Sequence, residues 1–232
     1  MESVRVDRLV LFDIDGTLIH TARAGVRSMN AAFRELHGHD NPLANVNFAG
    51  RTDRAIVADA FANMGLPFTE EAHAVIRDAY LTRLAAELSR PVEGATLLPG
   101  VDAALASFER EGRAGIGLLT GNYQRGAEIK LRYFGLWPRF SFGAFGDRHT
   151  NRRDLVPVAI ESAERQFRAR VPVSRVIVIG DTPFDVDCAK AHGAVSVAVA
   201  TGPFSREALA EHHPDVLLDT LEDVEALLRV VE

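Results

Sequence analysis

Short, mostly apolar runs recur along the chain, at Leu9–Phe12, Ile116–Leu119, Val176–Ile179, Val195–Val199 and Val216–Leu218, with a weaker one at Phe140–Phe145. Runs of this length, apolar at almost every position, suit strands covered on both faces. Between them, apolar residues return at helical spacing. Val101, Leu105 and Phe108 share a face after Pro99-Gly100, and Gly112 ends that pattern. A second pattern runs from Tyr123 through Ile129 to Phe134, with Gly135 placed as a C′ residue. Strands and helices in alternation predict an α/β fold, a parallel sheet with helices on both faces.

Residues 19–94 break the alternation, with no convincing strand. Val26, Met29, Phe33 and Leu36 repeat at helical spacing after a Thr21 cap, and Gly38 stops them. Ile56, Val57, Ala60 and Phe61 form a second stripe, ended by Met64-Gly65. Val75, Ile76, Leu81, Leu84 and Leu88 form a third after a Thr69 cap. The pattern predicts a helical insertion over 19–94, entered near residue 19 and left near Glu93–Leu98. The remainder, 1–18 and 95–232, forms the sheet-bearing core.

Composition narrows the partners. The 232 residues are 47% hydrophobic and carry a net charge of −6, with no basic run, so a nucleic-acid footprint is not expected. No apolar run is long enough to span a bilayer and no leader pattern opens the chain, so a soluble, cytoplasmic protein is expected; the sequence does not choose between a monomer and a homodimer. Cys188 is the only cysteine, which excludes an intrachain disulfide and suits a small buried side chain.

Candidate chemistry gathers at the ends of the apolar runs. Leu9–Phe12 leads straight into Asp13-Ile14-Asp15-Gly16-Thr17. Two acids one residue apart repel, and a bound cation would compensate them. The competing reading is a strand ending in a polar turn. A calcium loop does not fit, because Gly16 stands fourth from Asp13 where that loop needs its glycine sixth. After Ile116–Leu119 come Thr120, Gly121 and Asn122, a hydroxyl and a flexible turn opening a helix, which either bind an anion or merely cap the helix. After Val176–Ile179 comes Gly180-Asp181-Thr182-Pro183-Phe184-Asp185, with Pro183 suited to a first helical turn. A helix there holds Asp185 near Asp181, as further crevice carboxylates or as an N-cap and a first-turn acid.

Taken together, Asp13-Ile-Asp15-Gly-Thr17, Thr120-Gly-Asn and Gly180-Asp181-Thr-Pro-Phe-Asp185 resemble motifs one, two and four of the haloacid dehalogenase superfamily, in the same order and across nearly the whole chain. The resemblance implies a Rossmann-like core with the helical insertion as a C1 cap, and is nearest to phosphoglycolate-phosphatase-like members. It implies that Asp13 attacks phosphorus to form an aspartyl-phosphate, while Asp15 protonates the leaving alkoxide and then activates water. Mg²⁺ would be held by Asp13, the Asp15 carbonyl and Asp181, with Asp185 direct or through water. Thr120, Gly121 and Asn122 would hold the phosphoryl oxygens of a small phosphorylated metabolite. An acid two residues after the nucleophile favours phosphate over halide chemistry, since a halide leaves without a proton.

Two places depart from the family pattern. The third motif usually supplies a lysine on the helix before the fourth, yet the only lysines are Lys130 and Lys190, both elsewhere. Arg153 is the expected substitute and Arg152 the second choice; alternatively both arginines are exposed and Lys130 reaches in. Gly50-Arg51-Thr52-Asp53 resembles the cap loop of phosphoglycolate-phosphatase-like proteins, where Arg51 would pair with a substrate carboxylate. The plainer reading makes Thr52 or Asp53 a helix cap with Arg51 in solvent. The expected activity is a Mg²⁺-dependent phosphatase. A phosphosugar mutase of the β-phosphoglucomutase type and a non-catalytic phosphate-binding module are the alternatives.

Overall fold

The computed structural model describes residues 6–230. In chain order its strands and α-helices are β1 (Arg8–Phe12), β2 (Ile19–His20), α1 (Ala24–His37), α2 (Asp53–Asn63), α3 (Glu70–Glu87), β3 (Thr96–Leu97), α4 (Val101–Glu111), β4 (Ala114–Leu119), α5 (Gln124–Tyr133), β5 (Phe142–Ala144), α6 (Leu155–Phe167), β6 (Val176–Gly180), α7 (Pro183–Lys190), β7 (Val195–Val199), α8 (Arg206–Ala210), β8 (Val216–Leu218) and α9 (Val224–Val230). All six apolar runs become strands of one parallel sheet, ordered β5-β4-β1-β6-β7-β8.

Alternation along β1 divides the core in two. Val10 and Phe12 join Leu118 and Ile179 against α4, α5 and α9. Leu9 and Leu11 face the other way, with Val176 and Val178, against α6 and α7. Cys188 is buried in this second cluster, as expected. Burying each such large aliphatic side chain is worth about 1.5–3 kcal/mol, so a sheet apolar on both faces holds the central strands firmly.

Register then sets the site. Phe12 pairs with Leu118 on β4 and with Ile179 on β6. The three strands therefore end level, and Asp13, Thr120 and Asp181 emerge along one rim. The chain winds outward from β1 through β4 and β5 on one side and through β6, β7 and β8 on the other. That rim is the topological switch point, where open α/β sheets take their ligands.

Helices α1–α3 build a separate apolar cluster around Met29, Phe33, Ile56, Phe61, Ile76 and Tyr80, which Tyr123 joins from the core. Thr52 and Thr69 cap α2 and α3, each accepting a bond at 3.2 Å from the N–H three residues on. The Thr21 cap expected for α1 is not formed. Ala22 and Arg23 both adopt left-handed backbone (φ 49° and 64°), which turns the chain and starts α1 after Arg23. Val75 and Leu36, expected on apolar stripes, are 54% and 39% exposed because they sit off the faces that the three helices share. The chain enters and leaves this unit through β2 and β3, an antiparallel pair joining Ile19 to Leu97 and His20 to Thr96. No helix among the described residues is long and apolar enough to cross a membrane.

Candidate active site

Asp13, Asp181 and Asp185 bring their carboxylates together at the rim, with one oxygen from each lying within 4.8 Å of the others. All three are buried. Asp13 extends β1, its N–H donating to the Ile179 carbonyl at 2.9 Å. Asp181 follows β6 and accepts from Thr17 Oγ1 at 2.9 Å. Asp185 lies in the first turn of α7, but the N-cap there is Thr182 rather than Asp181. Thr182 N donates to Asp185 Oδ2 at 3.0 Å and Asp185 N donates back to Thr182 Oγ1 at 3.3 Å, closing a capping box, and the Thr182 hydroxyl donates to the same carboxylate oxygen at 2.7 Å.

Gathering these acids out of water has a visible electrostatic cost. Burial pushes the Asp13 carboxyl up to about 6; Arg152 pulls it back down and Asp185 adds to the rise. Burial, together with the Asp13 and Asp185 charges, holds Asp181 well above the usual carboxylate range. The backbone makes room for the cluster, since a Cβ on Gly16 or on Gly202 would collide with the Asp181 carboxylate. An all-oxygen set of three crowded acids with one counter-charge is the donor chemistry of a hard cation.

That counter-charge corrects the sequence expectation. Arg152, the second choice, is 6% exposed and lies 3.1 Å from Asp13 Oδ2 and 2.5 Å from Asp185 Oδ1. It also donates to the Leu119 carbonyl at 3.2 Å, and its buried Nε makes no hydrogen bond. Arg153, the first choice, points outward, its guanidinium 3.7 Å from Asp187. The reason is local. Arg152–Asp154 form a 3₁₀ turn capped by Asn151, and successive side chains of such a turn diverge by about 120°.

Lys130 also enters the site, so the alternative in which it reaches in with both arginines exposed holds only for Lys130 and Arg153. Its ammonium lies 2.6 Å from Asp15 Oδ2 and 2.6 Å from Asn122 Oδ1. Asn122 Nδ2 donates to the same Asp15 oxygen at 2.9 Å and to Thr120 Oγ1 at 2.8 Å. A sequence signal for this existed: Gly126, Ala127, Lys130 and Leu131 form the buried face of α5, so the lysine falls on the inward stripe.

The remaining cap-loop residues separate. Arg51 is paired with Asp59 of α2 rather than left in solvent. Asp53 is buried and tied to the core, accepting from Tyr123 N at 2.8 Å while its own N–H donates to the Gly121 carbonyl at 2.7 Å. A Cβ on Gly121 would strike the Arg51 carbonyl, so only glycine allows this approach. Between the helical unit and the rim lies a cavity of about 640 Å³, lined among others by Asp13, Asp15, Arg51, Thr120, Asn122 and Lys130.

The chain is similar to known proteins in sequence and fold. A family model described as haloacid dehalogenase-like hydrolase matches residues 10–199. The phosphoglycolate phosphatase of Rhodospirillum rubrum is 30% identical over 213 residues, covering 88% of this chain and 83% of its own. That of Mesorhizobium japonicum is 28% identical, covering 95% and 96%. The crystal structure of CbbY from Rhodobacter sphaeroides in complex with phosphate superposes with a TM-score of 0.72 at 22% identity, covering 94% of this chain and 96% of that one, and shares its fold. The chain belongs to the haloacid dehalogenase-like hydrolase family, as one of its phosphatases.

Proposed function

We propose that the chain hydrolyses small phosphomonoesters with Mg²⁺ through an aspartyl-phosphate on Asp13, and that 2-phosphoglycolate is the first substrate to try. One observation carries the reading: a buried Asp13–Asp181–Asp185 cluster shares a rim with an Asp15 whose side chain is 43% exposed and whose Oδ1 makes no hydrogen bond among the described residues. The two kinds of carboxylate suit two jobs. Asp13, fixed by the sheet, is the nucleophile. Asp15, open to the cavity, passes a proton to the leaving oxygen and later takes one from water.

Asp13, the Asp15 carbonyl, Asp181 and Asp185 would hold Mg²⁺. When bound, the ion neutralises the carboxylates and screens an anionic nucleophile from an anionic substrate. Thr120 and Gly121 hold the phosphoryl oxygens, while Asn122, expected beside them, spends its N–H and both Nδ2 hydrogens on Thr120 Oγ1 and Asp15 Oδ2. Thr120 Oγ1 accepts from both the N–H and Nδ2 of Asn122, which leaves its hydrogen to donate into the cavity. Arg152, with an unpaired Nε–H, takes the place of the third-motif lysine. Helices α1–α3, over residues 19–94, act as the cap, and Arg51 exchanges Asp59 for a substrate carboxylate.

The test is a screen of phosphorylated metabolites with Mg²⁺, reading free phosphate. Release that depends on the metal and is lost in Asp13→Asn is the expected result. An isomeric sugar phosphate formed without free phosphate would make the chain a mutase. Release unaffected by Asp13→Asn would overturn the assignment of the nucleophile.

A further inference from the structure

Lys130 has no place in the four motifs, yet it is 5% exposed and its ammonium ends against a carboxylate 115 residues away in the chain. A lysine is seldom buried this deeply unless it is paired. Here two of its three donors are taken, at 2.6 Å by Asp15 Oδ2 and at 2.6 Å by Asn122 Oδ1. The second bond matters as much as the first. An ammonium can only donate, so the atom of Asn122 that faces it must be the carbonyl oxygen. The Asn122 amide is thereby oriented, with Nδ2 directed at Asp15 Oδ2 (2.9 Å) and Thr120 Oγ1 (2.8 Å).

The result is a closed triangle of Lys130, Asn122 and Asp15. Both donors converge on one carboxylate oxygen, Oδ2, and leave Oδ1 open to the cavity. We propose that Lys130 is a positioning residue for proton transfer: it holds Asp15 by Oδ2, directly and through Asn122, so that Oδ1 faces the leaving-group oxygen. Lys130 acts through Asp15 and need not touch the substrate. This differs from the role proposed for Arg152, which lies beside Asp13. The inference rests on the assignment of Asp15 as the proton carrier made above.

The step concerned is cleavage of the ester. The P–O bond to the leaving oxygen breaks as the bond from Asp13 to phosphorus forms, and the proton of Asp15 passes to the leaving oxygen. A misplaced acid slows departure of a poor leaving group, an alkoxide, much more than departure of a nitrophenolate, which leaves without a proton. The readout is therefore the ratio of kcat/KM for 2-phosphoglycolate, or for any alkyl phosphate turned over in the screen, to kcat/KM for p-nitrophenyl phosphate. Both values come from one sample, so the ratio does not depend on the fraction of protein that is folded.

In Lys130→Met both rates fall, and the alkyl-to-aryl ratio falls by a further ~30-fold, less than the ~100-fold or more that a general acid contributes, because the acid is misplaced rather than removed. Asp15→Asn lowers the ratio as well. In an Asp15→Asn background Lys130→Met leaves the ratio unchanged to within about 3-fold, because residues acting as one unit are not additive. Lys130→Gln serves as a second variant measured in the same way. Equal losses on both substrates, or a full further drop in the Asp15→Asn background, overturn the positioning role. Those outcomes leave the phosphatase reading standing wherever Asp13→Asn has abolished release. A wild-type protein that hydrolyses neither ester overturns both.

Discussion

The backbone N–H of Tyr123 donates to Asp53 Oδ2 at 2.8 Å, joining the first turn of α2 to the residue that opens α5. The helical unit is thus fastened to the core immediately beside Asn122. Because Asp53 is buried, its carboxyl is pushed up to about 6, against the pull of Lys130 and of the Tyr123 N–H. A folded-state value above the unfolded one gives stability that is fully present below about pH 4 and is lost as pH rises through about 6. Asp53→Asn keeps an acceptor for Tyr123 and removes the titration. Urea unfolding at pH 4 and pH 7.5 should show the difference between variant and wild type moving in the variant's favour by up to about 3 kcal/mol. A difference that stays flat across that interval would contradict the assignment.

The three crowded acids predict an inversion of sign at Asp181. Without a divalent cation, Asp181→Asn relieves repulsion and should raise the melting temperature. With Mg²⁺ present the wild type should gain, by about 2.7 kcal/mol at a hundredfold excess over Kd, and the variant should gain little. Melting curves with EDTA and with Mg²⁺ decide this, and an equal Mg²⁺ response in both proteins would remove Asp181 from the metal site.

Arg152 and Arg153 are neighbours with opposite expected effects. Arg152→Met strands Asp13 and Asp185 without their shared cation and should cost about 3–5 kcal/mol in the metal-free protein. Arg153→Ala should stay within about 0.5 kcal/mol, as for an exposed side chain with one loose ion pair. Chemical denaturation of the two variants side by side is the check.

Arg51 offers a test of substrate choice. If it exchanges Asp59 for a substrate carboxylate, Arg51→Ala should raise KM for 2-phosphoglycolate by about tenfold or more, the worth of a charge-assisted bond. An alkyl phosphate lacking the carboxylate should show no matching rise. Parallel increases for both esters would assign Arg51 to general binding.

Gly121→Ala probes the contact between helical unit and core. Its methyl group would meet the Arg51 carbonyl, a backbone atom that cannot rotate away. The expected outcome is a loss of stability of about 1–3 kcal/mol, as for overpacking, together with a fall in kcat/KM. Wild-type melting and turnover would mean that the two units part easily.

What could be read from the chain, and what could not, follows the range of each signal. β1 and β6 are plain because burial on both faces makes them continuous apolar runs; β7 and β8 remain legible as mostly apolar runs, although Ser196 interrupts one and Val216 and Leu217 of the edge strand are half-buried. β5 is faint because Gly143 interrupts it and only Phe142–Ala144 pair. β2 and β3, two residues each, carry no period at all. Asp13 and Asp181 were legible because strand ends place them, Asp185 because Pro183 opens a helix whose first turn holds it, and a family pattern matches all three. The choice between Arg152 and Arg153 turned on the phase of a 3₁₀ turn that no periodicity reports. Lys130 is instructive for another reason: its place on the inward stripe of α5 was readable, but its partner, more than a hundred residues upstream, was not.

The β2–β3 pair has a consequence for how such a protein changes over time. Because Ile19 and His20 leave beside Leu97 and Thr96, residues 21–95 hang from two adjacent points on the core. Their replacement by another segment would require no rethreading of the sheet, and insertions whose ends lie close together are well tolerated. On the function proposed above, the part that chooses the substrate and the part that reacts with it are separable heritable parts. The segment between the two short strands can be lengthened, shortened or exchanged while Asp13, Thr120 and Asp181 stay at the ends of β1, β4 and β6.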